Sequence, residues 1–503
     1  MSVNTFPNLE LPTFGVEVEF MIATLPEDDE IIDPDENGLP PILRIPKRSN
    51  NLQTIKYTLG KVKGVLDECF GVLPPLSALK VDTKAILDKY RDWNVDGDSS
   101  IRPPKQSSYR FVGVEVISPV QFASPKGFNA IRLAILAITS KFRCMVNLSC
   151  GLHVHVGLGI ERLPLEQIRR IASLSYAAEP LLFTLHGPSR RVHDYCRSLH
   201  DYSRLANGVI GKDLEGKVEH SDPHLKEDLG GECYTYLGAV RRHGEEALSA
   251  RNKHVDKTHI EAFLETRQPG HYEPFTRPDD SRHTKLLPEI SDHILTAQRA
   301  SSSSIIREPA RQRNIPRLRL PKPTLSELLR VRKELEPVDG AVPLEIFDRL
   351  GERGPGPGVF EATKHIYSQP ASCYISSLLS GELRPAINFE SYSCRSLRPA
   401  VDQRTVEFRM GEGSLDAEWV STWAKIIVGL FKFALYSTPS NFIAVLENCD
   451  RVMKEDGTYD IIDMLDDMGL FAEAEIAERR LTANKDRWNL EFVESESNLV
   501  PTM

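Results

Sequence analysis

The stretch FGVEVEFMI at residues 14–22 places Glu17 and Glu19 one residue apart inside an apolar run of β-branched and aromatic side chains. Such residues favour extended backbone. On a strand, residues i and i+2 point to one face. Val16, Val18 and Phe20 therefore predict a buried face, and the two carboxylates project together from the other. The same device recurs twice. GLHVHVGL at 151–158 carries His153 and His155, and RTVEFRM at 404–410 carries Glu407 and Arg409. An exposed strand face carries any one such pair harmlessly. If the three strands share a sheet, three carboxylates, two imidazoles and a guanidinium line one surface. That set suits a divalent metal and phosphate, and it is costly inside an apolar core.

Outward from these strands, FVGVEVI at 111–117 reads as a further strand, with Gly113, Glu115 and Ile117 on one face. DGDSSI at 96–101 holds Asp98, which as a bare motif is a turn residue. Phe128, Ile131, Ile135, Ile138 and Phe142 recur at helical steps behind Ser124 and Pro125, a cap and a first-turn proline. Leu165, Ile168, Ala172, Ser175, Ala178, Leu182 and Leu185 predict another helix, in which Pro180 predicts a kink or a break. After the last strand, Trp419, Trp423, Ile426, Leu430 and Phe433 mark a helix that Ser414 or Asp416 would cap.

The chain has 503 residues and a formal net charge of −9, which gives no general attraction to nucleic acid or anionic membrane. No apolar run approaches the roughly 18 residues that span a bilayer, and the first residues lack the pattern of a secretory signal. Eight scattered cysteines without CxxC spacing fit reduced thiols and a cytoplasmic setting. Residues 11–205 and 341–438 read as two parts of one catalytic domain. Residues 206–340, rich in charge, His, Pro and Ser, read as an irregular insertion whose protein partner the sequence does not name. Residues 439–503 read as a helical acidic tail.

In order, GVEVEF, DGDSSI, VGVEVISP, GLHVHVGL and TVEFRMGEGSLD resemble the amidoligase family, carboxylate–amine ligases related to glutamine synthetase and glutamate–cysteine ligase. The resemblance covers about residues 11–200 and 385–436. It implies an α+β fold, with a curved antiparallel sheet, helices on the convex face and the site on the concave face. It implies ATP and two Mg²⁺ ions, with a small-molecule or peptide carboxylate and an amine as substrates. By motif position, Glu17, His153 and Glu407 would hold one metal, and Glu19 and Glu115 the other. His155 and Arg409 would face the phosphates; beside what the family implies, Arg404 just upstream is a candidate further cation, and Asp98 a candidate to orient or deprotonate the amine. Asn388 falls where the family commonly has an asparagine. One departure concerns EFRQH, the family's common pattern, because Met410 and Gly411 follow Arg409 here.

Carboxylates do not condense with amines at neutral pH, because the oxygen is a poor leaving group. Phosphoryl transfer to that oxygen removes the obstacle, and it needs charge neutralisation of the kind Mg²⁺ and arginine supply. Two rivals stand beside this reading. One takes His153, His155 and Glu161 as the metal site of a cupin-like oxidoreductase. The other is a non-catalytic nucleotide-binding scaffold with the same fold.

Overall fold

The computed structural model describes residues 11–29, 38–71, 92–104, 107, 109–159, 163–210, 214, 311–322, 324–335, 356–381, 384–393, 405–455 and 457–493. Arg404, Glu161 and most of the 206–340 segment lie outside these residues. Among the described residues, nine strands form one sheet. They are β1 (Thr13–Pro26), β2 (Leu43–Ile45), β3 (Asn94–Asp96), β4 (Arg110–Ile117), β5 (Gln121–Phe122), β6 (Cys144–Met145), β7 (Gly151–Gly157), β8 (Ile387–Asn388) and β9 (Thr405–Glu412). The spine of the sheet runs β3-β4-β1-β7-β9-β8, with β2, β5 and β6 also pairing to β1. Every pairing is antiparallel except the short one between β1 and β2.

The helices are α1 (Asn51–Phe70), α2 (Pro125–Lys141), α3 (Leu165–Leu182), α4 (Leu199–Tyr202), α5 (Leu325–Leu335), α6 (Val359–Tyr367), α7 (Ser372–Leu379), α8 (Ala417–Tyr436), α9 (Pro439–Lys454), α10 (Ile461–Asp467) and α11 (Phe471–Ala483). The fold is thus a mixed one, an open antiparallel sheet with many helices. Val16, Val18 and Phe20 share one core with Val112, Val114 and Val116, with Leu152, Val154 and Val156, and with Phe408. The buried stripes of α2, α3 and α8 complete that core. The pleat then leaves Glu17, Glu19, His153, His155 and Glu407 on the opposite face of the sheet.

Local chemistry fixes the helix starts. Ser124 accepts the Gly127 N–H in front of α2, and Pro125 occupies its first turn. At α8 the capping residue is Asp416, which accepts from the N–H groups of Glu418 and Trp419. Ser414 instead accepts from the N–H of Asp416. Pro180 neither breaks α3 nor ends it, since the helix runs on to Leu182 and tightens into a 3-10 turn at Phe183–Leu185. Proline at 180 removes the donor that Tyr176, four residues earlier, would receive. His200 Nε2 takes that orphaned carbonyl at 2.7 Å, and its ring stacks on Tyr176.

Two elements arise where the sequence looked irregular. β2 lies among the prolines that follow Pro26, and α1 lies where no apolar periodicity stood out in the sequence. α1 begins with a reciprocal capping box, Asn50 accepting from the Gln53 N–H while the Gln53 side chain accepts from the Asn50 N–H.

The C-terminal helices pack back on the sheet layer. Arg480 of α11 donates to Glu412 of β9 at 2.6 Å and to the Leu185 carbonyl at 3.0 Å, and it lies over Trp419 at 4.0 Å. Residues 311–317 fasten the same helices. Arg311 reaches Asp466 and Glu478, Arg313 reaches Asp460 and Asp463, and Arg317 reaches Asp463. No described helix is long and apolar enough to cross a membrane.

Candidate functional site

Strand register assembles the site. β1 against β7 sets Glu17 opposite His153, and β1 against β4 sets Glu19 opposite Glu115. β7 against β9 sets His155 opposite Glu407. Because the pleat is in register at these three partner positions, these side chains rise from a common face.

His153 Nδ1 stands 3.2 Å from Glu17 Oε2 and 4.0 Å from Glu407 Oε1, while its Nε2 stands 3.6 Å from Glu19 Oε1. His155 Nε2 lies 3.3 Å from Glu17 Oε1 and 3.8 Å from Glu407 Oε1. Among the described residues, three groups have ligand atoms close enough to share an ion: Glu17, Glu115 and His153; Glu17, His155 and Glu407; and Glu19, Asp98 and Glu115. Relative to the grouping by motif position, His155 stands with Glu17 and Glu407, and Asp98 stands with the second pair of acids. Asp98 also accepts the Ser100 N–H at 2.6 Å.

The surroundings hold these groups in place. Glu19 Oε2 accepts the Gly151 N–H at 2.6 Å. A Cβ at Gly151 would lie 2.7 Å from His153 Nε2, so only glycine leaves room for the imidazole. Asn388 Nδ2 donates to Glu407 Oε2 at 2.9 Å. Arg409 pairs with Glu407 and donates from Nε to the Tyr195 carbonyl at 3.2 Å.

The electrostatics record this crowding. Burial pushes the Glu17 carboxyl up, but the His155 charge and the contact with His153 outweigh it and hold it well below its ordinary value. Burial likewise opposes ionisation of Glu407, which Arg409 and the two histidines nevertheless keep low. For His155, burial favours the neutral ring, yet Glu17 and Glu407 together lift its pKa to about 9. Its Nε2 is buried and makes no aligned hydrogen bond among the described residues. A buried ring nitrogen facing two carboxylates without an aligned hydrogen bond to either fits a place that a cation would take in exchange for the ring's extra proton.

A bulge separates the end of β9 from the site. Leu152 faces Gly411 and Val154 faces Phe408, so Arg409 and Met410 together oppose His153. Beyond this extra residue the alternation reverses. A Cβ at Gly411 would meet the Leu152 carbonyl at 2.4 Å and Trp423 Nε1 at 3.0 Å, on the core side. The position where the family pattern carries histidine therefore faces away from the cluster.

Sequence reading overlooked the segment that follows α3. It supplies the Tyr195 carbonyl to Arg409, and Arg190, which donates to the Arg409 carbonyl at 2.7 Å. Apart from its density of Arg and His, nothing in its spacing marks it.

No curated protein and no solved structure matches the chain. A family described as "Putative amidoligase enzyme" does match residues 11–207, the part that carries Glu17, Glu19, Asp98, Glu115, His153 and His155. Residues 11–207 are thus similar to that family, and the sheet adds Glu407 and Arg409 to them from outside the matched part.

Proposed function

We propose that the protein is an ATP-dependent ligase that joins a carboxylate to an amine through an acyl phosphate, on a sheet of the glutamine synthetase and glutamate–cysteine ligase type. The observation that carries this reading is the convergence of Glu17, Glu19, Glu115 and Glu407 with two imidazoles on one face of a sheet. Four acids so close together are stable at neutral pH only with compensating positive charge, to which a bound divalent cation would add beside Arg409 and His155.

Glu17, His153, His155 and Glu407 would hold one Mg²⁺, and Glu19 and Glu115 a second. Bound Mg²⁺ supplies neutralisation of the phosphate oxygens during transfer. The chain's own groups do the rest. Asn388 and Arg409 hold Glu407 in one orientation, and the Arg409 guanidinium offers positive charge to a phosphate oxygen. The substrate carboxylate oxygen bonds to the terminal phosphorus of ATP as the bond to ADP breaks. The amine nitrogen then bonds to the acyl carbon, phosphate leaves, and Asp98 receives the proton that the nitrogen sheds.

The test is ADP release, measured with Mg²⁺ across a panel of acids and amines. The expected result is release that depends on both substrates and disappears in Glu17→Ala and Glu407→Ala. Release undiminished in both variants overturns the assignment. One observation favours a second reading, a nucleotide-binding protein without turnover. With Gly411 turned into the core, no side chain at that position reaches the cluster. Mg²⁺-dependent ATP binding with no ADP release for any pair would select it. The cupin-like rival needs another strand soon after β7, and α3 occupies that place.

A further inference from the structure

The segment between α3 and α4 holds polar groups that the reaction above does not use. His193 is 2% exposed. Its Nδ1 accepts the Tyr195 N–H at 3.3 Å, so the neutral ring carries its proton on Nε2. That atom is buried and has no hydrogen-bond partner among the described residues. Arg190 is equally buried, and its Nε has no aligned hydrogen-bond partner among the described residues, although its Nη2 donates to the Arg409 carbonyl and the Cys196 thiol lies against its side chain. Tyr195 ties the group together, because its N–H serves His193 while its carbonyl serves Arg409.

A buried donor left without a partner forfeits its hydration with nothing in return, so two in one linked set call for an explanation. His186 Nε2 is unpartnered too, but that ring packs edge-on with Trp423 at 4.3 Å. Among the described residues no such ring covers His193 at that distance, since Tyr195 lies at 5.8 Å. Burial first, then the charges of Arg190, His153 and Arg409, hold the His193 imidazole well below its ordinary pKa. It is therefore a neutral donor beside two guanidinium groups.

We infer that His193 Nε2–H and Arg190 Nε–H form, next to Arg409, a binding site for a tetrahedral oxyanion. Separate donors on two side chains suit phosphate better than a planar carboxylate, which one guanidinium fork satisfies alone. Which phosphoryl group binds there rests on the ligase reading. The oxyanion chemistry itself does not.

The probe is inorganic phosphate, titrated into the full chain carrying ¹⁵N-histidine, with the Nε2–H signal of His193 followed by NMR. Phosphate should shift that signal. Its affinity should fall roughly tenfold or more in His193→Ala and recover to within about threefold in His193→Gln, whose amide restores a donor. His193→Phe keeps a ring without the donor and should behave as His193→Ala does. Mn²⁺ affinity should stay the same in all three variants. An unmoved signal at saturating phosphate, or equal phosphate affinity in the Phe variant, overturns the site and leaves water as the partner. Phosphate held by His193 in a protein that never releases ADP would sink the ligase reading and keep this site. ADP release alongside unaltered phosphate binding in His193→Phe would do the reverse.

Discussion

His155 on β7 and Glu407 on β9 are register partners, with the imidazole Nε2 3.8 Å from a carboxylate oxygen. This pairing joins the family-matched part of the chain to a strand far downstream. Replacing Glu407 should therefore remove function without unfolding the sheet. Glu407→Gln keeps the shape and the Asn388 contact but discards the charge. Losing one such electrostatic contact should raise the barrier by roughly 3–4 kcal/mol, a drop of two to three orders of magnitude in turnover. Mn²⁺ binding followed by electron paramagnetic resonance should weaken in parallel, and intact binding would reject a ligand role for Glu407.

Gly151→Ala tests the fit around His153. The added methyl would sit 2.7 Å from the imidazole nitrogen and 3.2 Å from Glu19 Oε2. The expected variant is folded by circular dichroism and binds Mn²⁺ at least about tenfold more weakly, equivalent to about 1.4 kcal/mol. Normal binding would mean that the ring has more freedom than the distances allow.

The metal-free protein should lose stability on the alkaline side. His155 titrates near 9 when folded, against its ordinary 6.5. Its stabilising contribution is complete below about pH 6.5 and disappears as pH rises through about 9. Glu17 and Glu407 act in the opposite sense. Their lowered values add stability above their ordinary range near 4.5, and it is lost as pH falls. Thermal melts in EDTA across pH 5–10 should show the alkaline loss in the wild type and a smaller one in His155→Gln. Identical pH dependence in the two proteins would contradict the His155 shift.

Arg480→Met should destabilise the molecule as a whole. The substitution keeps an apolar stem near Trp419 and Trp488 but leaves Glu412, only 17% exposed, without its cation. Removing one partner of such a pair costs about 3–5 kcal/mol. Urea denaturation reads the loss, and recovery in an Arg480→Met, Glu412→Gln double variant would assign it to the stranded charge. A double variant as unstable as the single one would assign it to packing.

The sheet and the carboxylate face were legible because alternation with a period of two writes both faces of a strand into the sequence. Val16, Glu17, Val18 and Glu19 declare themselves without tertiary context. The helices that bury an apolar stripe, such as α8, were legible for the same reason at a longer period. β2 and α1 were missed in different ways. β2 is three residues held by the edge of β1, which no local pattern announces. α1 carries an Asn50–Gln53 capping box that went unread. The bulge at Arg409 and Met410 is a property of two paired strands, so β9 alone could not disclose that Gly411 turns inward. Arg190 and His193 lie in an irregular segment, where chemistry follows tertiary placement and periodicity has nothing to report.

The way β9 covers β7 bears on any attempt to work with a fragment. Cutting the chain after residue 207 would strip β7 of its neighbour and bare a row of amide and carbonyl groups along Gly151–Gly157, flanked by valines. An uncovered, flat, apolar edge of that kind recruits other strands. The excised piece should sediment as aggregates, whereas adding residues 405–412 as a separate peptide should restore a dispersed species.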